Sequence, residues 1–280
     1  MELNDLVNHR YIVEELIGNG SFGNVYRATC RKKNTPFAIK TEAVRSPYKI
    51  LKHECSILKY LYDNRCRSIP IISWYGLHGD VFCLVTPLYD MNLNEYLQTH
   101  DELPLPTVYK LFQKLISLVQ SIHELHVLHR DIKPDNFMIK NGELFLIDFG
   151  LSCFCIDDQS NHLENIQLTE ITGNIKYCSY YVMLGNRPSI RDDVISLGYM
   201  FLYILYQELP WDNVPHIEDT THPTNHISNR RTMKIASYKE YQSIKLFPMI
   251  DKKLIMYFQY SYTICYDESP CYNALRNLFT

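Results

Sequence analysis

The sequence predicts an α+β fold in two lobes: a small β-rich lobe over about residues 1–88 and a larger helical lobe over about residues 89–280. Three observations lead there. Short strand-like runs crowd the first ninety residues, and after about residue 90 the character changes to mainly helical patterns. No internal repeat or flexible linker separates independent units, so the 280 residues are expected to form a single domain of two lobes. Hydrophobic residues at 46% and charged residues at 21% are globular values and exclude a disordered chain.

The elements follow in order. Residues 11–17 alternate and run into Gly18-Asn19-Gly20; strand-like runs at 24–30 and 36–41 come soon after, so glycines join a hairpin. Residues 50–61 place Leu51, Cys55, Leu58 and Leu61 at a helical period. Runs at 70–77 and 81–85 complete five strands and one helix. Residues 106–125 then carry a long apolar stripe from Val108 to Ile122, with Pro106 in the first turn of the helix. Strand-like runs at 137–140 and 144–147 flank Asn141-Gly142, a strong hairpin turn. Helices are expected over 191–209, 250–262 and 272–279.

Composition narrows the function. With 28 Lys+Arg against 31 Asp+Glu the net charge is −3, which argues against a globally basic nucleic-acid binder. The nine cysteines have no metal-ligand or disulfide-framework spacing, and Cys153-x-Cys155 is too close for a zinc knuckle. Reduced thiols in a cytoplasmic or nuclear protein are expected. The start, Met1-Glu2-Leu3-Asn4-Asp5, has neither the apolar run of a signal peptide nor a myristoylation glycine. The most apolar stretch, 194–206, is interrupted by Ser196 and Gly198; it reads as a buried helix, and no membrane insertion is expected.

Three constellations carry chemistry. Gly18-Asn19-Gly20-Ser21-Phe22-Gly23-Asn24-Val25 is G-x-G-x-x-G-x-V, which alone could be a tight turn. A strand, not a helix, follows it, which fits a hairpin lid whose N–H groups lie over phosphates. Lys40 sits in the apolar strand Ala38-Ile39-Lys40, where an ammonium is costly unless paired, and Glu54 on the next helix is the candidate partner. Such a lysine could contact the α- and β-phosphates of a nucleotide. The strongest segment is His129-Arg130-Asp131-Ile132-Lys133-Pro134-Asp135-Asn136, followed by Asp148-Phe149-Gly150. Asp131 would orient or deprotonate a nucleophile and Lys133 would neutralise the moving phosphoryl group. Asn136 and Asp148 would hold Mg²⁺, which prefers oxygen ligands. The 141–142 hairpin would return the chain so that Asp148 faces Asn136.

Together these motifs resemble the protein kinase signature set, and the resemblance runs through essentially the whole chain. Several stretches are similar to the casein kinase I family: 129–138, Leu184-Gly185 leading to Arg191-Asp192-Asp193 and Ser196-Leu197-Gly198-Tyr199, Leu209-Pro210-Trp211, and the tail from Tyr266 to Phe279. As in that family, Ala-Pro-Glu is missing after the activation segment; Tyr177-Cys178-Ser179-Tyr180-Tyr181 stands there. The resemblance implies a bilobal kinase fold and an ATP- and Mg²⁺-dependent serine/threonine protein kinase acting on protein substrates as a monomer. The alternative is a catalytically weak pseudokinase that binds nucleotide as a scaffold. By resemblance Ile17, Gly18, Asn19, Gly20, Ser21, Phe22, Gly23, Val25, Ala38 and Lys40 would surround ATP, with Thr86 as gatekeeper and Pro87 and Tyr89 offering hinge backbone to adenine. Asp193 would be a buried carboxylate that holds the catalytic-loop backbone.

The family also favours substrates phosphorylated upstream of the target, through a basic anion pocket. The positions aligned with that pocket read Asn186, Asn213 and Glu240. Lys176, Arg187, Arg191 and Lys239 remain as cations that could rebuild an anion site. Acidic or phosphorylated substrates therefore stay open.

Overall fold

The computed structural model describes the chain except residues 21–22, 101–102, 216–223 and 247–249. The chain divides into two compact units, Met1–Met91 with Met138–Gly150, and Asn92–Phe137 with Leu151–Thr280. In chain order it forms β1 (Leu6–Val7), β2 (Tyr11–Gly20), β3 (Gly23–Cys30), β4 (Thr35–Ala43), α1 (Ile50–Asp63), β5 (Trp74–His78) and β6 (Val81–Pro87). Next come β7 (Met91–Asn92), α2 (Leu93–Gln98), α3 (Leu105–His123), β8 (Val127–Leu128), β9 (Phe137–Lys140), β10 (Glu143–Leu146) and β11 (Cys153–Phe154). The remainder is helical: α4 (Tyr180–Met183), α5 (Ile190–Tyr206), α6 (Arg230–Lys239), α7 (Tyr241–Lys245), α8 (Lys252–Thr263) and α9 (Tyr272–Asn277).

The first unit is built on an antiparallel sheet of order β1-β2-β3-β4-β6-β5. Val7, Tyr11, Val13, Ala28, Cys30, Ile39, Cys83 and Val85 form its core on one face. Full burial of each Val or Ile is worth about 1.5–3 kcal/mol. Gly23 has φ +148°, and a Cβ there would stand 1.7 Å from the Thr41 carbonyl oxygen, so only glycine lets β3 start this close to β4. Helix α1 buries Leu51, Cys55, Leu58 and Leu61 as its period requires, with Glu54 in the same stripe. The strand expected from residue 70 begins only at Trp74. Pro70 has no N–H for a ladder, and pairing is first approached where the Ser73 N–H donates to the Val85 carbonyl (2.8 Å). At the hairpin Asn141 (φ +50°) and Gly142 (φ +78°) are both left-handed, the geometry of a two-residue turn between twisted strands.

The second unit packs α3, α5 and α8 around one aromatic core. Phe112 of α3 stacks on Phe201 of α5 at 3.9 Å, and Phe201 meets Tyr257 of α8 at 5.3 Å. Helix α5 is buried on nearly all sides along its first two-thirds. It stops three residues earlier than expected, because Gln207 turns left-handed (φ +57°) and ends the ladder. Helix α6 was not expected from periodicity. Its buried stripe, Thr232, Ile235, Ala236 and Lys239, has helical spacing but polar ends. Its start was signalled by Asn229, whose side chain accepts from the Arg231 and Thr232 N–H groups. Among the described residues no helix is long and apolar enough to cross a membrane.

Candidate active site

In the first unit Lys40 lies in the register of β4 opposite Val25 on β3 and Leu84 on β6. Its Nζ donates to Glu54 Oε2 (2.8 Å) and to Asp148 Oδ1 (2.7 Å). Burial alone would lower the lysine's pKa, but the two carboxylates overrule it and hold the ammonium above its ordinary value. Burial, with Asp148 adding negative charge, pushes Glu54 up against the pull of Lys40. Asp148 is held at φ +64°, a left-handed conformation that a non-glycine residue adopts at a cost. Two residues on, a Cβ at Gly150 would fall 2.7 Å from Ile50 Cγ2 of α1.

The glycine hairpin closes on the same strands. Gly18 pairs with Val25 and Gly20 with Gly23, while Ser21 and Phe22 lie outside the described residues. Ile17 and Asn19 are exposed. Ala38 pairs with Thr86 and Phe37 with Pro87. The following stretch is tied to the 137–146 hairpin. Lys140 Nζ donates to the Leu88 carbonyl (2.7 Å), the Asp90 N–H donates to the Ile139 carbonyl (2.9 Å), and the Tyr89 ring packs on Phe145 at 5.1 Å.

In the second unit β8 leads into the fully buried His129, then Arg130 at φ +66°, then Asp131. Asp193 of α5 pins this turn: Oδ2 accepts the His129 N–H (2.6 Å) and Oδ1 the Arg130 N–H (2.9 Å). His123 Nε2 stands 3.0 Å from the same carboxylate, so this histidine belongs to the scaffold of the loop. Burial alone would raise the Asp193 pKa; the His123 hydrogen bond, the charges of His123 and His129 and the backbone donor bring it below its ordinary value. Lys133 Nζ lies 2.6 Å from Asp131 Oδ2, and Asn136 Nδ2 donates to the Asp131 carbonyl (2.7 Å) and to Oδ2 (3.0 Å). With its nitrogen committed as donor, the Asn136 amide oxygen is the atom left for a cation. Gly173 (φ +95°) backs onto the loop, where a Cβ would come within 2.1 Å of the Arg130 carbonyl oxygen.

A family model described as the protein kinase domain matches residues 11–268. The chain belongs to the protein kinase family. Protein kinase domains in general use ATP and Mg²⁺. In the first unit Lys40 presents a half-buried ammonium of the kind that meets phosphates, with the Asp148 carboxylate beside it. In the second unit Asn136 carries an amide oxygen, a hard donor of the kind Mg²⁺ takes.

The cations considered for an anion pocket are placed differently from that expectation. Lys239 is fully buried and donates to the Ile175 and Cys178 carbonyls, so it is no surface contact. Arg191 is 7% exposed, with its guanidinium 3.6 Å above the Tyr181 ring. Lys176 Nζ pairs with Asp212 (2.9 Å), and Arg187 Nη1 donates to the Glu164 carbonyl (3.0 Å). Two supporting residues escape a reading of the sequence. Glu42 looks like a surface charge but is buried beside α1, and Trp211 looks like simple core but donates its Nε1–H to the Lys176 carbonyl (2.8 Å).

Proposed function

We propose that this kinase is an active serine/threonine protein kinase of casein kinase I type, transferring the γ-phosphate of ATP to hydroxyls of protein substrates. The observation that carries the reading is Lys40 held between Glu54 and Asp148, an arrangement that costs the desolvation of charged groups. In this reading Lys40 meets the α- and β-phosphates, and Glu54 keeps its ammonium charged and aimed. The glycine hairpin from Gly18 to Val25 supplies backbone N–H groups over the phosphates. Ala38 and Thr86 line the adenine, and Pro87 and Tyr89 offer backbone to it. Asp131 accepts the proton of the substrate hydroxyl, with Asn136 fixing the carboxylate's orientation. Lys133 Nζ, next to Asp131, offsets negative charge that builds on the moving phosphoryl group; a lysine two residues after the catalytic aspartate is the serine/threonine pattern. Mg²⁺, when bound by Asn136 and Asp148, would neutralise phosphate charge.

Arg130 is already engaged, its Nε–H donating to the Leu151 carbonyl. This favours a loop that does not wait for a phosphorylated activation segment, as the casein kinase I resemblance suggests. Dephosphorylated protein made in bacteria, assayed with labelled ATP on casein and on a degenerate peptide library, tests the reading. Transfer to serine and threonine that disappears in Asp131→Asn is expected. Nucleotide binding without transfer would make the chain a pseudokinase scaffold, and transfer to tyrosine alone would remove the serine/threonine assignment.

A further inference from the structure

A lysine with no carboxylate partner among the described residues lies in the core of the second unit. Lys239, the last residue of α6, has no exposed surface. Its Nζ donates to the carbonyls of Ile175 (2.7 Å) and Cys178 (2.6 Å) and lies 5.0 Å from the ring centroids of both Tyr199 and Trp211. Asp212, the carboxylate whose charge acts on Lys239, is taken by Lys176 Nζ (2.9 Å) and the Leu209 N–H (3.0 Å). The backbone of Lys239 is fixed as well, since the hydroxyls of Tyr199 and Tyr262 both donate to its carbonyl.

An ammonium in an aromatic box costs desolvation that two carbonyls and two ring faces offset only in part, and burial lowers its pKa to about 8. A methionine would fill the same space without that cost. What the lysine adds is a grip on one short turn. Residues 175–178 present three carbonyls inward: Ile175 and Cys178 to Lys239, and Lys176 to Trp211 Nε1 (2.8 Å). The turn lies between two fixed points. At one end Gly173 touches the backbone of Arg130, next to Asp131. At the other Ser179 caps α4 and bonds Asp192 of α5.

We propose that Lys239 is a positioning residue for the protein substrate: it holds the 175–178 turn in the shape that receives the substrate chain next to the catalytic loop. The inference rests on the reading of the chain as an active protein kinase. It assigns to a buried cation the anchoring of the peptide seat, and leaves the nucleotide half of the reaction to other residues.

The test compares wild type, Lys239→Met and Lys239→Arg as full-length chains, with peptide KM, ATP KM and kcat measured separately. Lys239→Met removes the donors but keeps the volume; Lys239→Arg keeps donors. The expected result is a peptide KM raised tenfold or more in Lys239→Met, an ATP KM within twofold of wild type, and substantial recovery in Lys239→Arg. General loosening of the fold would move both KM values together and would overturn the proposal. So would a peptide KM that does not change. A wild type that transfers no phosphate at all defeats the kinase reading itself, a result separate from an active wild type indifferent to Lys239. Should Lys239→Met not fold, Trp211→Phe takes its place, since it deletes one donor to the same turn and keeps the aromatic box. Its peptide KM should rise severalfold, and an unchanged value there overturns the proposal equally.

Discussion

Glu42 caps the helix that carries Glu54: its Oε1 accepts the Ile50 N–H at 3.0 Å, at the first turn of α1. The residue at the formal cap position, Lys49, makes no side-chain bond to the helix, so a strand supplies the cap from a distance. That strand is β4, and Glu42 lies two residues after Lys40 on it, on the same face by the period of a strand. One strand therefore provides both the ammonium that Glu54 binds and the cap that fixes where Glu54 starts from. Replacing Glu42 with Ala should lower stability by about 1 kcal/mol, the usual worth of an N-cap. It should also reduce kcat severalfold by letting α1 drift. A urea midpoint and a steady-state assay check both, and full activity with a lost cap would show that α1 needs no such anchor.

The Lys40–Glu54 pair makes a second prediction. Removing one partner of a buried pair leaves the other charge uncompensated, typically costing about 3 kcal/mol or more. Glu54 can relieve part of that by taking up a proton, because burial already pushes its carboxyl up. Lys40→Met should therefore abolish transfer and lower the urea midpoint, while Lys40→Met/Glu54→Gln stays inactive but regains most of the stability. Equal stability of the single and double variants would mean that the pair is not coupled in solution.

The Lys40 pairing is legible in the sequence because a lysine in an apolar strand needs a partner, and Glu54 falls in the apolar stripe of the next helix. The 129–136 motif is legible because its residues, with Asp148-Phe149-Gly150 after them, resemble the protein kinase signature set. Other features are hidden for physical reasons. Lys239 and Thr232 close a buried stripe with polar residues, so the period of α6 reads as a solvated face. Glu42 pairs across a sheet-to-helix connection whose geometry no local pattern encodes. The start of β5 is displaced because an apolar run containing a proline still scores as strand-like.

Lys239 also predicts a pH dependence of stability. Its folded value of about 8 lies below the ordinary 10.5, so between these values the unfolded chain binds more protons than the folded one. Stability attributable to Lys239 therefore rises with pH across that window; it is full above about 10.5 and lost as the pH falls through about 8. The groups facing it do not reverse this. Burial raises the Cys178 thiol and the Tyr199 and Tyr262 hydroxyls above their ordinary values, and Asp212 is paired with Lys176. Relative to Lys239→Met, wild type should gain up to about 3 kcal/mol from pH 7.5 to pH 10. Parallel urea midpoints for the two proteins across that range would remove the assignment of a depressed pKa to this lysine.

The last prediction concerns substrates that already carry phosphate. Casein kinase I resemblance implies a gain from an upstream phosphoserine, and such a gain needs cations free to meet a dianion. The four considered from the sequence are committed elsewhere: Lys176 to Asp212, Arg187 to the Glu164 carbonyl, Arg191 to the face of Tyr181, and Lys239 to the inside of the fold. Glu240, directly after α6, is exposed and would repel a phosphate. Freeing a surface cation from its partner offsets much of the attraction it could offer, and exposed ion pairs are worth only about 0–1 kcal/mol. Since a tenfold preference requires about 1.4 kcal/mol, one rearranged cation does not reach it. Matched peptides with and without the upstream phosphoserine should thus differ by less than tenfold in kcat/KM. A larger preference that falls away in Arg187→Ala would show that this arginine leaves Glu164 to bind the phosphate, and that the kinase reads a primed substrate after all.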